Sequence, residues 1–258
     1  MDGSLTTTWL SGAAYDAHRA ADFERFLDAS SSDLAAHVPT CPEWDVTALC
    51  DHLARVYQGR GMVVANRAFP DAQDFEFREE GADPLAWVQR WSDHLDEVLA
   101  GLPDDAPTVT FMPGCDVVWF WRRRMALETL VHRTDAELAV GHTPQMDPVL
   151  SADGVDELLW FAGDPEDDHS DGIAATSVVE LRDGERSWSI SLSDGSTTVP
   201  AADGTADATV RGSAPALLLA LSGRDLHGLG PARFGVQAPS VEGDPAAYER
   251  LLARLGGF

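Results

Sequence analysis

The chain has no lysine. All 18 basic residues are arginine, against 43 Asp and Glu, giving a net charge of -25. A surface this acidic is repelled by nucleic-acid phosphates and by anionic lipid, which argues against DNA, RNA and membrane as partners. No apolar run approaches the roughly 20 residues needed to span a bilayer. The N-terminus has neither the basic n-region nor the apolar h-region of a secretory signal. Cysteine is scarce: Cys41, Cys50 and Cys115 form no CxxC pair, and an odd count builds no disulfide framework. Reduced thiols and a cytoplasmic location are expected. Isoleucine occurs only at Ile173 and Ile190 while alanine is plentiful, a composition typical of a GC-rich genome.

What is present is ordinary for a globular protein. The 258 residues, 44% hydrophobic and 24% charged, suit one large domain or two modest ones. The first 140 or so read as helices. Leu10, Ala14, Ala17, Ala21 and Phe26 make one stripe, and Leu49, Leu53, Val56 and Tyr57 a second on a helix from Val46 to about Val64. Two prolines, Pro39 and Pro42, separate these helices, and Asp45 is placed to cap the second. Asp83-Pro84 opens a third helix, carrying Trp87, Trp91, Leu95 and Val98 and ended by Gly101 and Pro103. A fourth runs from about Val117 to Val140. Four helices with one apolar face each predict a four-helix bundle.

The pattern changes after Pro148. A short helix, Asp153–Phe161, precedes alternating segments at Ala174–Arg182, Ser187–Leu192, Ser196–Pro200 and Ala206–Arg211. Asp183-Gly184, Asp194-Gly195 and Asp203-Gly204 stand between them as turn pairs. Helices at Ala214–Leu221 and Pro245–Leu255 follow. This half is predicted to be α+β with an antiparallel sheet. The expected division is a helical domain over 1–146 and a smaller α+β domain over 147–258, with the linker near Gly141–Ala152.

One pair of residues in the fourth helix points to chemistry. Glu128 and His132 are four apart, so they share a face one turn apart, the face that also carries apolar residues. A carboxylate turned into a core is costly unless it is paired or bound to a cation. Carboxylate plus imidazole suits zinc, or less specifically iron, manganese or nickel. His52, beside the apolar stripe of the second helix, is the best third ligand. A single histidine within a helix is more often a satisfied core residue, so spacing leaves that third ligand open. The remaining histidines (His18, His37, His94, His142, His169 and His227) lack ligand spacing and read as surface or loop residues.

The stretch Cys41-Pro42-Glu43-Trp44-Asp45-Val46-Thr47-Ala48-Leu49-Cys50-Asp51-His52-Leu53 resembles the CPxWxVxDLxxHL signature of the mycothiol-dependent maleylpyruvate isomerase family. The run from Arg123 through Glu128 and His132 to Glu137 is similar to that family's second motif, RRMAHExxxHRxDAE. Asp153–Leu159 and Val210–Arg224 resemble stretches of its C-terminal domain. Two positions depart from the pattern: Leu127 where many members have His, and Ser222 where Trp often stands. The resemblance implies a DinB-like bundle followed by a domain similar to sterol-carrier proteins. It implies one divalent metal, zinc by preference, on His52, Glu128 and His132, with mycothiol as thiol cosubstrate.

The chemistry implied is cis-trans isomerisation of a maleylpyruvate-like substrate by reversible thiolate addition. Three ligands leave a position open, as catalytic sites do, and a bound cation lowers the pKa of a thiol or water. Transfer of mycothiol to an electrophile, as in an S-transferase, is one alternative. A non-catalytic metal-binding regulator is the other, and Cys50 as a further ligand would favour it, but residues two apart on a helix face different ways. Arg224 is the candidate carboxylate anchor of the second domain, since its guanidinium offers a bidentate fork; a surface arginine following Gly223 is the competing reading. The partners expected are a small molecule and a low-molecular-weight thiol, and the protein is expected to be a monomer or weak homodimer.

Overall fold

Ser11, Asp45 and Asp83 each accept a backbone N–H at the start of a helix, from Ala14, Ala48 and Leu85 respectively. Such caps satisfy amides that the first turn leaves without partners. In the computed structural model they open α1 (Gly12–Ser32), α2 (Val46–Asn66) and α3 (Pro84–Leu99). The structure describes residues 9–112, 114–162, 176–184, 186–193, 196–199, 201 and 205–255. The chain separates into two compact units, one of residues 10–144 and one of 145–255 with Trp9.

The first unit is the bundle. Its fourth helix, α4 (Val118–Ala139), begins at Val117 without a side-chain cap. It packs along α1 and also meets α2, while α2 packs along α3. Most of α4 is buried, from Val118 to Leu138, so no single apolar stripe marks it. Several buried polar groups of the bundle are matched. Arg133, 1% exposed, donates to Asp22 of α1 and to Glu137. Arg122 pairs with Asp16, and Arg19 with Asp96 and Ser92. The Tyr57 hydroxyl donates to Thr129 Oγ1 at 2.6 Å, which in turn donates to the Met125 carbonyl. These bonds fix the register of α4 against α1 and α2.

The second unit starts with α5 (Pro148–Ala162), longer at its front than the sequence predicts because Asp147 caps it through the Val149 and Leu150 amides. The strands are β1 (Ser177–Asp183), β2 (Arg186–Ser193), β3 (Ser196–Thr198) and β4 (Ala208–Arg211). Then come α6 (Ala214–Leu221), the single turn α7 (Leu226–Leu229), β5 (Ser240–Gly243) and α8 (Pro245–Leu255). The sheet order is β3-β2-β1-β4-β5. Val179 and Leu181 of β1 are buried alternately with half-buried neighbours, as are Trp188, Ile190 and Leu192 of β2. Trp188 also ties β2 to α5 by donating to Asp156.

The sheet is mixed rather than purely antiparallel. β4 leaves the β1-β2-β3 meander and returns to the open edge of β1, where it pairs in parallel. The other three pairings are antiparallel. Asp183-Gly184 turns β1 into β2, with Gly184 at φ +57°. Asp194-Gly195, Asp203-Gly204 and His169 lie outside the described residues. No helix among the described residues is long and apolar enough to cross a membrane.

Candidate metal centre

His52 sits in the second turn of α2, and Glu128 and His132 are one turn apart in α4. The packing of α2 against α4 brings the three together. His52 Nε2 lies 3.4 Å from Glu128 Oε1, and His132 Nε2 lies 3.2 Å from the same oxygen. One ligand atom from each residue falls within 4.8 Å of the others, the one such cluster of His, Cys, Asp and Glu among the described residues. Neighbouring ligand atoms around a tetrahedral ion with bonds of about 2.0–2.1 Å stand about 3.3 Å apart. The histidine-to-glutamate separations therefore suit such an ion. Glu128 and His132 are nearly buried, at 11% and 9% side-chain exposure, whereas His52 is 33% exposed. The cluster thus reaches solvent on the His52 side.

The far nitrogen of His132 has its own partner. Its Nδ1 lies 3.0 Å from Asp135 Oδ2, and Asp135 is fully buried. Thr40, in the loop before α2, donates to the other Asp135 oxygen at 2.6 Å. A neutral imidazole has one N–H, yet both nitrogens of His132 face carboxylates. The ring must therefore carry two protons, or a cation must stand between Nε2 and Glu128. Burial alone lowers the His132 pKa; the bonds to Asp135 and Glu128 outweigh it and raise the value above 6.5. Burial would likewise push the Glu128 carboxyl up. The Arg124 guanidinium, which donates to Oε2, and the two histidines instead hold it well below 4.5.

A carboxylate that fixes one ring nitrogen while the other faces the cluster is the support metal-bound histidines use. Aromatic rings shape the rest. The Trp44 ring lies 4.8 Å from that of His52 and 6.4 Å from that of His132, and the two imidazoles meet edge-on at 4.7 Å.

Residues 17–137 match the family described as the mycothiol maleylpyruvate isomerase N-terminal domain. The bundle belongs to that family. No curated protein is similar enough to count as a relative. Among solved structures, a double mutant of the sec-alkyl sulfatase PisA1 is similar at 18% identity and a TM-score of 0.30 over 67% of this chain. The alignment spans 28% of that protein, and a likeness this slight carries no argument.

In this isomerase-family bundle the sequence singles out His52, Glu128 and His132, and the fold brings all three together. It misses Asp135, Thr40 and Trp44. Asp135 was open to inference, because His-x-x-Asp on a helix shares a face. Thr40 is joined to Asp135 across 95 residues, and no local pattern reports such a bond. Cys50 takes no part in the cluster: it is fully buried, beside Ser30 of α1, and burial pushes its thiol up to about 12. Arg224 lies in the second unit, 6% exposed, donating to the Ser222 carbonyl. There it lines a pocket of about 270 Å³ with Leu226, His227, Tyr248 and Leu252.

Proposed function

We propose that the protein is a metal- and mycothiol-dependent enzyme that isomerises a maleylpyruvate-like substrate, with His52, Glu128 and His132 holding one divalent ion, zinc by preference. The observation that carries this reading is the convergence of the three donors on one point, with Asp135 behind His132, in a family whose name joins mycothiol to maleylpyruvate isomerisation. When bound, the ion supplies a Lewis acid with an open position, which lowers the pKa of a thiol placed beside it.

The chain's own groups do the rest. Asp135 keeps the Nδ1 proton on His132, leaving the Nε2 lone pair for the ion. Arg124 holds Glu128 by Oε2, so that Oε1 stays turned to the histidines. The thiolate adds to one carbon of the cis double bond while the π pair moves into the conjugated carbonyl. The former double bond rotates as a single bond. Return of the electron pair expels the thiolate and leaves the trans alkene. Nothing is oxidised or reduced, and the thiol is regenerated. Arg224, in the pocket of the second unit, is the candidate anchor there for a carboxylate of substrate or thiol through its fork.

Elemental analysis of purified protein and of a His52→Ala variant tests the site: one zinc per chain is expected in the first, with loss in the second. A variant that keeps its full metal content would overturn the three-ligand assignment. Conversion of maleylpyruvate to fumarylpyruvate, followed with and without mycothiol, tests the reaction. Thiol consumed in proportion to substrate would instead identify an S-transferase. Absence of thiol-dependent turnover of any electrophile would move the assignment to a non-catalytic metal-binding protein.

A further inference from the structure

Three buried arginines of the bundle, Arg19, Arg122 and Arg133, have carboxylate partners. Arg60 differs. It is partly buried on α2, two turns beyond His52, and among the described residues no carboxylate forms an ion pair or hydrogen bond with it. Its guanidinium carbon instead lies 5.0 Å from the Trp121 ring centroid and 6.0 Å from that of Phe111. Stacking on aromatic faces fixes the plane of a guanidinium and offsets part of the cost of its burial. Helical side chains lean toward the N-terminus of their helix, which for Arg60 is the direction of His52.

A second guanidinium lies on the same helix as Trp121, three residues further along. Arg124, one turn before Glu128 on α4, holds that carboxylate by Oε2. Burial lowers the pKa of Arg60, the charge of Arg124 lowers it further, and Glu128 acts in the opposite direction. Two fixed cations therefore share the neighbourhood of one carboxylate. If Glu128 gives its charge to a metal ion, that surplus of positive charge grows. A rigid guanidinium fork stacked on aromatic rings is the form in which proteins bind planar carboxylates.

We propose that Arg60, with Arg124 beside it, forms a carboxylate-binding position within the bundle that anchors the substrate next to His52, Glu128 and His132. This rests on the proposed metal site and substrate class. Arg60 and Arg124 both belong to the bundle.

The test is calorimetric titration of zinc-loaded, full-length protein with maleate at low ionic strength. Wild type is compared with Arg60→Gln, which removes the charge, and Arg60→Lys, which keeps the charge but not the fork. Maleate is expected to bind wild type, and Arg60→Gln to bind it about tenfold more weakly or worse, with unchanged zinc content and urea midpoint. Arg60→Lys is expected to fall between the two, and it answers the question by itself if Arg60→Gln does not fold. Equal affinity in wild type and variant, or no binding to wild type at millimolar maleate, overturns the proposal. If zinc does not load, the metal reading fails separately, and the same titration of metal-free protein still decides. Arg60-dependent binding would keep the carboxylate position, and its absence would end it.

Discussion

Replacing Asp135 by Asn tests how the cluster is built. The side chains are nearly isosteric, so the fully buried site keeps its packing. The amide oxygen can still accept from His132 Nδ1, but the acceptor is now neutral. The amide NH₂ also meets Thr40 Oγ1, which at present donates to Asp135 at 2.6 Å, so the hydroxyl must turn and donate elsewhere. Two effects follow. The imidazole loses the charge that raises its basicity, and the bond that fixes its orientation weakens. Removing such an outer partner typically costs 10–100-fold in metal affinity, or about 1.4–2.7 kcal/mol. Zinc affinity is measured by competition with a chromophoric chelator, and urea unfolding of the metal-free proteins is run in parallel. The expected outcome is that loss of affinity, with a metal-free stability change of about 1 kcal/mol. Affinity unchanged within twofold would refute the claim that Asp135 acts through His132. A variant that fails to fold without metal would assign Asp135 a structural role instead.

Arg133→Met leaves buried Asp22 without its hydrogen-bonded arginine, while Glu137 keeps Arg25, and should cost about 3 kcal/mol in urea unfolding. That deficit should widen from acid to neutral pH. Burial already raises the Asp22 pKa despite Arg133. A raised carboxyl contributes stability that is fully present below its unfolded pKa and is lost as pH rises through the folded value, and removing Arg133 raises it further. A deficit that shrinks toward neutral pH would contradict this. Cys50 should resist iodoacetamide in native protein at pH 8, because it is buried and its thiol is pushed up to about 12. Rapid native labelling of Cys50, read by peptide mass, would contradict that burial. Gly243→Ala should destabilise the second unit: Gly243 sits at φ +93°, and an added Cβ would come within 2.2 Å of the Asp207 carbonyl oxygen. An unchanged melting temperature would count against the β4-β5 pairing.

Legibility in the sequence followed locality. Helices with a punctuated start were readable because the punctuation is local. Asp45 caps α2 and Asp83-Pro84 opens α3 where the residue types place them. β5 was not readable: Ser240–Gly243 is exposed along its whole length, so no alternation of apolar residues marks it. The parallel return of β4 is likewise a property of the sheet and not of four residues. The site divides in the same way. Glu128 and His132 announce themselves by spacing, and His52 only through the motif it belongs to. Thr40 and Arg60 gain their significance from partners 95 and 61 residues away, Asp135 and Trp121.

The burial of α4 has a consequence for how the bundle assembles. α2 and α3 are neighbours in the chain and can pair as a hairpin while little else exists. α1 cannot, because its main partner is α4, about a hundred residues downstream. Until residues 118–139 are made, Asp16 and Asp22 lack their arginines and the apolar face of α1 lacks a surface to cover it. During synthesis, then, α1 emerges ahead of α2 and α3 but finds its place only with α4, and His52 waits for Glu128 and His132 on the same schedule. A chain cut short before α4 would leave both faces exposed, the state in which half-made bundles aggregate.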